Sequence, residues 1–129
     1  MATKLLLDTC AFVWLAQGNL RLSNSARREI ALADDLAASA VSAWELAYTQ
    51  RYGNLVLPVD AEEFYRMVTE RYSIKTIPLD GDIAITAAQL QLFHKDPADR
   101  FIIATALLNG YRVVTADSKF GKYGVATIC

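Results

Sequence analysis

The sequence predicts an α/β protein built on a mostly parallel β-sheet. Short apolar segments typical of buried strands alternate with longer segments of helical periodicity along the whole chain. The first strand, residues 5–7, is three leucines in a row, as expected for a strand covered on both faces. We therefore expect helices on both sides of the sheet, in one domain that spans residues 1–129.

The remaining elements follow from apolar periodicity and from capping residues. Further short apolar runs predict strands at residues 36–40, 74–77, 111–115 and 125–128. Helices are predicted at residues 11–16, after Ser23, at 42–51, after Asp60, at about 82–92 and from residue 97 to 108. The helix at residues 42–51 opens with a capping-box pattern that pairs Ser42 with Glu45.

Composition excludes several classes of protein. With 53% hydrophobic and 21% charged residues and a net charge of −1, the chain is typical of a globular protein and shows no global signal for a polyanionic partner. Cys10 and Cys129 lack metal-site spacing and indicate free thiols in a reducing compartment. No apolar run approaches the roughly 20 residues of a membrane helix. We expect a soluble, cytoplasmic protein without a membrane partner.

Four acidic residues are predicted to lie at one edge of the sheet. Asp8 and Asp117 directly follow strands, while Glu45 and Asp99 are expected in the first turns of helices. Strand C-termini and helix N-termini share one edge of a parallel α/β sheet, where ligands also bind. Local roles also explain most of these acids: Glu45 as a capping-box partner, Asp99 in a helix first turn behind an Asp96 cap, and Asp117 in a turn. Asp8 is the hardest to explain in this way, because a buried carboxylate needs a partner or a metal.

A cluster of carboxylates favours a hard divalent cation such as Mg²⁺ or Mn²⁺, which can activate water and stabilise charge on a phosphoryl group. The single histidine, His94, is expected to be a loop residue rather than a ligand. The sequence has no P-loop and no Gly-x-Ser-x-Gly motif. Cys10 lacks the Arg six residues later that a thiol phosphatase uses, and it stands where an aspartyl phosphatase has a second Asp.

Four motifs occur in a fixed order along the chain, at residues 5–9, 41–45, 94–100 and 113–117. In this order and at these separations they resemble the motifs of PIN-domain ribonucleases, and more narrowly those of the VapC-type toxins of toxin–antitoxin pairs. The resemblance covers nearly the whole chain. It implies a three-layer α/β/α sandwich whose first strand lies in the middle of the sheet.

The resemblance also implies the roles of individual residues. The family's acidic quartet falls on Asp8, Glu45, Asp99 and Asp117, with Asp8 and Asp99 as principal ligands of Mg²⁺ or Mn²⁺. Three auxiliary residues are Asp96, Thr115 and Arg100. The Thr115 hydroxyl could orient a water, and Arg100 could hold a carboxylate or contact a phosphate.

The resemblance further implies hydrolysis of RNA, a homodimer and a small antitoxin that occupies the active-site groove. Five apolar residues could serve such partners, although the sequence slightly favours the core for most of them: Trp14, Leu15, Trp44, Tyr48 and Tyr52. An alternative is a PIN-fold module that binds RNA or protein without cutting. We favour catalysis because all four acids are present.

Overall fold

The computed structural model describes residues 2–129 as a five-stranded, fully parallel sheet. The strands are β1 (Lys4–Leu7), β2 (Asp35–Ser39), β3 (Lys75–Ile77), β4 (Arg112–Val114) and β5 (Thr127–Ile128). Their order across the sheet is β3-β2-β1-β4-β5. The predicted α/β class and the central position of β1 are confirmed.

Six α-helices and one 3₁₀-helix connect the strands. The α-helices are α1 (Thr9–Gln17), α2 (Asn24–Leu32), α3 (Ala40–Tyr52), α4 (Ala61–Arg71), α5 (Gly81–Gln89) and α6 (Pro97–Asn109), and the 3₁₀-helix is Ser118–Tyr123. Within residues 2–129, none of the helices has the length and apolar character needed to cross a membrane.

Side chains of β1 divide the core into two halves. Leu5 and Leu7 pack on one face of the sheet, in a cluster that includes Phe12 of α1. Leu6 packs on the opposite face with Ile102 of α6. Because consecutive side chains of a strand point to opposite faces, the three leucines serve both halves of the core. This arrangement confirms the three-layer sandwich.

The start of α3 differs from the prediction. Ser39, the last residue of β2, is the N-cap, and its hydroxyl accepts a hydrogen bond of 3.1 Å from the Val41 amide. The predicted start at Ser42 and the capping box between Ser42 and Glu45 are therefore wrong. The chain passes from strand to helix without a loop, and the fully buried Ser39 caps the helix three residues earlier than the pattern suggested. Glu45 consequently lies in the second turn of α3 and has no capping role.

Other boundaries differ by a few residues. Helix α5 ends at Gln89, before the predicted end near residue 92, because Leu90 adopts an extended conformation. The 3₁₀-helix Ser118–Tyr123 is followed by Gly124 in a left-handed conformation with φ of 78°.

The central strand provides a test of the fold. Leu6 is fully buried, so Leu6→Ala should lower the free energy of unfolding by about 3 kcal/mol. Leu20 is 92% exposed, so Leu20→Ala should change it by less than about 0.5 kcal/mol. Urea denaturation of both variants measures the difference, and equal losses of stability would contradict the position of β1.

Candidate metal centre and active site

A cleft of about 620 Å³ lies beyond the C-terminal end of the central strand. Five carboxylate side chains line it: Asp8, Glu45, Asp96, Asp99 and Asp117. Apolar side chains of α1 and α3, among them Val13, Trp14 and Leu46, form part of its walls. All four members of the predicted acidic quartet therefore reach the same cleft, although they come from four separate elements.

Asp8 is held between β1 and α1. It is 5% exposed, it is the N-cap of α1, and its Oδ1 accepts a hydrogen bond of 2.8 Å from the Ala11 amide. Burial raises the pKa of Asp8, against the opposing effect of hydrogen bonds from Thr115 and Ala11, and the charges of Glu45 and Asp117 raise it further. Capping fixes the direction of this carboxylate but does not neutralise its charge.

Glu45 enters the cleft from α3. The hydroxyls of Thr9 and Ser42 are 2.9 Å apart and join the start of α1 to α3. Burial raises the pKa of Glu45 against the opposing effect of the Thr9 hydroxyl, and the charge of Asp96 adds to the rise. Among the described residues, its Oε1 is the buried side-chain oxygen that has no hydrogen-bond partner. Because leaving a buried oxygen unpaired is costly, Glu45 is well suited to bind an additional ligand.

Asp99 lies in the first turn of α6. Asp96 is the N-cap of this helix, with its Oδ1 accepting a hydrogen bond of 3.0 Å from the Ala98 amide, and Pro97 follows it, as predicted. Burial and the neighbouring charge of Asp96 raise the pKa of Asp99 to about 7, against the opposing effect of His94. This carboxylate therefore holds its proton more readily than an aspartate in water.

Asp117 caps the 3₁₀-helix that follows β4, and its Oδ1 accepts a hydrogen bond of 2.9 Å from the Lys119 amide. Burial alone would raise the pKa of Asp117, but the hydrogen bonds from Lys119 and His94 outweigh it and lower the pKa. The hydroxyl oxygen of the buried Thr115 accepts a hydrogen bond of 3.0 Å from the Asp117 amide and lies beside the Asp8 carboxylate. Thr115 thus links two acids of the quartet.

His94 is part of the cluster, which the sequence did not indicate. The sequence predicted a loop residue, and His94 does lie in the loop between α5 and α6, but it is only 7% exposed. Its Nε2 is 2.8 Å from Oδ2 of Asp117 and 3.0 Å from Oδ2 of Asp99. The available signal was its position two residues before the Asp96 cap, close to a helix N-terminus that already carried a candidate acid.

Arg100 binds backbone carbonyls rather than a carboxylate. Its guanidinium is buried and donates hydrogen bonds to the backbone carbonyls of Leu90 (2.7 Å), His94 (2.9 Å), Gln91 (3.0 Å) and Ala88 (3.4 Å). A planar group with five N–H donors can bind several carbonyls at once, and here it fixes the loop that leads from α5 to α6. The predicted carboxylate partner is therefore wrong, whereas the phosphate contact stays a prediction.

The Cys10 thiol, close to Asp8 in the sequence, is unreactive at neutral pH. Burial, together with the charges of Asp8 and Glu45, raises the pKa of Cys10 to about 11. The thiol therefore stays protonated at neutral pH and is a poor nucleophile and a poor metal ligand. This agrees with the sequence-based argument against a thiol phosphatase.

Three aromatic residues of α3 form an exposed row beside the cleft. Trp44, Tyr48 and Tyr52 are 57%, 50% and 69% exposed, with neighbouring ring centroids 5.0 and 5.1 Å apart. The slight preference for a core position is wrong for these three residues, whereas Leu15 is buried as expected. Trp14 is half-buried and lines the cleft itself.

The residues present fit a hard divalent cation. The cleft offers carboxylate oxygens, which Mg²⁺ and Mn²⁺ prefer, and no thiolate at neutral pH. Burial and mutual repulsion raise the pKa of Asp8, Glu45 and Asp99, so keeping all three ionised costs free energy. The unpaired Oε1 of Glu45 is a further cost of burial. A cation would relieve the repulsion among the carboxylates and supply the partner that Glu45 lacks.

The chain is similar to known proteins over nearly its whole length. The PIN domain family model matches residues 5–126. The chain is 35% identical over 122 residues to Ribonuclease VapC22 of Mycobacterium tuberculosis, covering 94% of this chain and 92% of that protein. Solved structures with a similar fold include FitAcB from Neisseria gonorrhoeae (TM-score 0.70, 22% identity, 97% and 96% of the two chains). DNA-bound VapBC from Salmonella typhimurium is similar to the same degree (TM-score 0.71, 19% identity, 98% and 97%).

Asp99→Asn should stabilise the protein when metal is removed. The pKa of Asp99 rises from 3.8 to about 7 on folding, so between these pH values the folded state binds more protons than the unfolded state. Stability is therefore lost as the pH rises through this window. The gain in the variant should grow up to about pH 7 and stay constant above it, reaching roughly 1 kcal/mol once solvent screening is allowed for.

Urea denaturation in EDTA at several pH values measures this gain. Asp82→Asn, in the first turn of α5, is the matched control because Asp82 is exposed and lies outside the cleft. A D99N variant that is less stable than the parent protein above pH 7 would contradict the predicted penalty.

Proposed function

The chain belongs to the PIN-domain family, and on that premise we propose that it is a metal-dependent endoribonuclease that acts as the toxin of a toxin–antitoxin pair. The observation that carries this proposal is the convergence of Asp8, Glu45, Asp99 and Asp117 in one cleft. The similarity to a VapC ribonuclease over nearly the whole chain supports RNA as the substrate.

We propose that these four acids hold Mg²⁺ or Mn²⁺, with Asp8 and Asp99 as the principal ligands. When bound, such an ion activates water for attack on a phosphodiester and stabilises negative charge on the phosphoryl group. The donor set is rich in oxygen, and the unpaired Oε1 of Glu45 is free to contribute. Asp117 is the readiest of the four to carry its charge at neutral pH, because hydrogen bonds from Lys119 and His94 lower its pKa despite its burial.

Other residues of the chain orient these acids. Thr115 links Asp117 to Asp8, and the Asp96 cap fixes the first turn of α6, from which Asp99 projects. The positive ends of the α1 and α6 dipoles also lie at this edge and favour the negative charge of both carboxylates and phosphate. The protein thereby supplies a fixed set of oxygens, which lowers the reorganisation needed during the reaction.

Loss of a principal ligand should abolish cleavage. We expect Asp8→Asn and Asp99→Asn each to reduce the rate of RNA hydrolysis by about 100-fold or more, because each removes a negative ligand atom from the proposed site. The assay uses EDTA-treated protein to which Mg²⁺ or Mn²⁺ is restored, with a fluorophore–quencher RNA as the reporter.

Asp82→Asn is again the control and should retain full activity, because Asp82 lies outside the cleft. Full activity in a purified, folded D8N variant would overturn the proposed mechanism. RNA binding by the parent protein without turnover in either metal would instead favour the non-catalytic module.

We also propose an antitoxin partner and a homodimer. The similar solved structures include VapBC and FitAcB assemblies, and one is described as a toxin–antitoxin complex from Klebsiella pneumoniae. Trp44, Tyr48 and Tyr52 form an exposed row on α3, the helix whose Glu45 lines the cleft. This arrangement supports an antitoxin that covers both α3 and the acidic cleft. Antitoxin binding there would block access to the acids directly.

A charge introduced into the aromatic row should disrupt this complex. Tyr48→Asp is expected to weaken co-purification with the protein encoded by the neighbouring reading frame, because the partner would have to bury an unpaired carboxylate. Ile85→Asp, at a residue 59% exposed on α5, is the matched control. Equal retention of the partner by both variants would exclude the α3 surface from the interface.

A further inference from the structure

We propose that His94 is a positioning residue that holds the carboxylates of Asp99 and Asp117 at the distance and orientation required to bind the metal ion. This inference rests on the proposed function of the acid cluster as a metal site. It concerns a residue outside the quartet. The two acids come from different elements, α6 and the segment after β4, and His94 is the side chain in contact with both.

The orientation of the imidazole ring determines which of its nitrogens faces the acids. The Asp96 amide donates a hydrogen bond of 3.2 Å to Nδ1. Because Nδ1 is the acceptor in this bond, the proton of the ring is carried by Nε2. Nε2 therefore donates a hydrogen bond of 2.8 Å to Oδ2 of Asp117, and it also lies 3.0 Å from Oδ2 of Asp99. While Nε2 carries this proton it cannot coordinate a metal, and in this state the ring acts on the ligands rather than as one, although Nε2 and one oxygen of each acid lie within 4.8 Å of one another.

The backbone of His94 is held on both sides. Its amide donates a hydrogen bond of 2.7 Å to the Tyr123 hydroxyl, which in turn donates one of 2.6 Å to the carbonyl of Gln91. The His94 carbonyl accepts a hydrogen bond of 2.9 Å from Arg100. The ring also meets Phe120 edge to face, with the centroids 5.9 Å apart. With backbone and ring fixed, the Nε2 donor has a defined position relative to the cleft.

A fixed donor between two carboxylates has two physical effects. It offsets part of the repulsion between Asp99 and Asp117, which allows them to remain close without a cation. It also fixes the position of both carboxylates relative to one another, since both Oδ2 atoms lie within 3.0 Å of Nε2. Groups that orient metal ligands in this way typically change metal affinity by about 10- to 100-fold.

Two substitutions of His94 separate its hydrogen bond from its bulk. His94→Gln places an amide donor close to the position of Nε2, whereas His94→Leu fills similar space without a donor. Mn²⁺ affinity is measured on the folded protein without RNA, from the electron paramagnetic resonance signal of free Mn²⁺ at constant pH. We expect H94L to bind Mn²⁺ about 10- to 100-fold more weakly and H94Q to retain most of the affinity.

Several outcomes would overturn the inference. If H94L binds Mn²⁺ as tightly as the parent protein, His94 does not position the acids; tighter binding would mean that it competes with the ion. If H94Q binds as weakly as H94L, the imidazole itself is required, as expected of a direct ligand. D8N serves as the reference for the site: if it keeps the full Mn²⁺ affinity, the proposed metal centre itself fails, independently of His94.

Tyr123→Phe tests the same network without altering the cluster. It removes the hydroxyl that binds His94 and Gln91 but keeps the ring that packs against Phe93, with centroids 5.3 Å apart. We expect a smaller loss of Mn²⁺ affinity than in H94L, with an unchanged circular dichroism spectrum. This variant decides the question if H94L does not fold, and unchanged affinity in a folded Y123F protein would then count against the inference.

Discussion

Repulsion between carboxylates at one edge of the sheet is the constraint on which the site depends. Asp8, Glu45 and Asp99 have raised pKa values, chiefly because burial removes them from water and in part because acids lie beside them. Such a cluster persists only if the surrounding structure fixes each member in place. The rigid three-layer core, with its central strand fully buried, provides that support.

Most acids of the cleft also have a local structural role. Three of these acids are N-caps, and one oxygen of each accepts a hydrogen bond from a backbone amide: Asp8, Asp96 and Asp117. Capping leaves the carboxylate with its negative charge, so the same side chain can cap a helix and also bind a cation. Asp99 lies in the first turn of α6, where the helix dipole favours an acid. Glu45 has no such role, since it lies in the second turn of α3 and caps nothing.

Local signals in the sequence predicted the positions of Asp8, Asp99 and Asp117, because each follows a strand or begins a helix in a recognisable pattern. The start of α3 was missed because Ser39 belongs to the strand and to the helix cap at once, and the capping-box pattern indicated Ser42 instead. The contacts of His94 and Arg100 could not be predicted from local patterns. The partners of His94 include Asp117, which is 23 residues away in the sequence. Arg100 binds backbone carbonyls, and because every residue has one, no side-chain pattern identifies them as its partners.

The way in which Arg100 binds its loop has an evolutionary consequence. It contacts the carbonyl groups of Ala88, Leu90, Gln91 and His94, and every amino acid carries this group. The exposed side chains at positions 88 and 91 are therefore open to substitution without loss of these bonds. An insertion or deletion would shift the carbonyls out of register with the guanidinium. Among related sequences, the length of this segment should drift far more slowly than its composition.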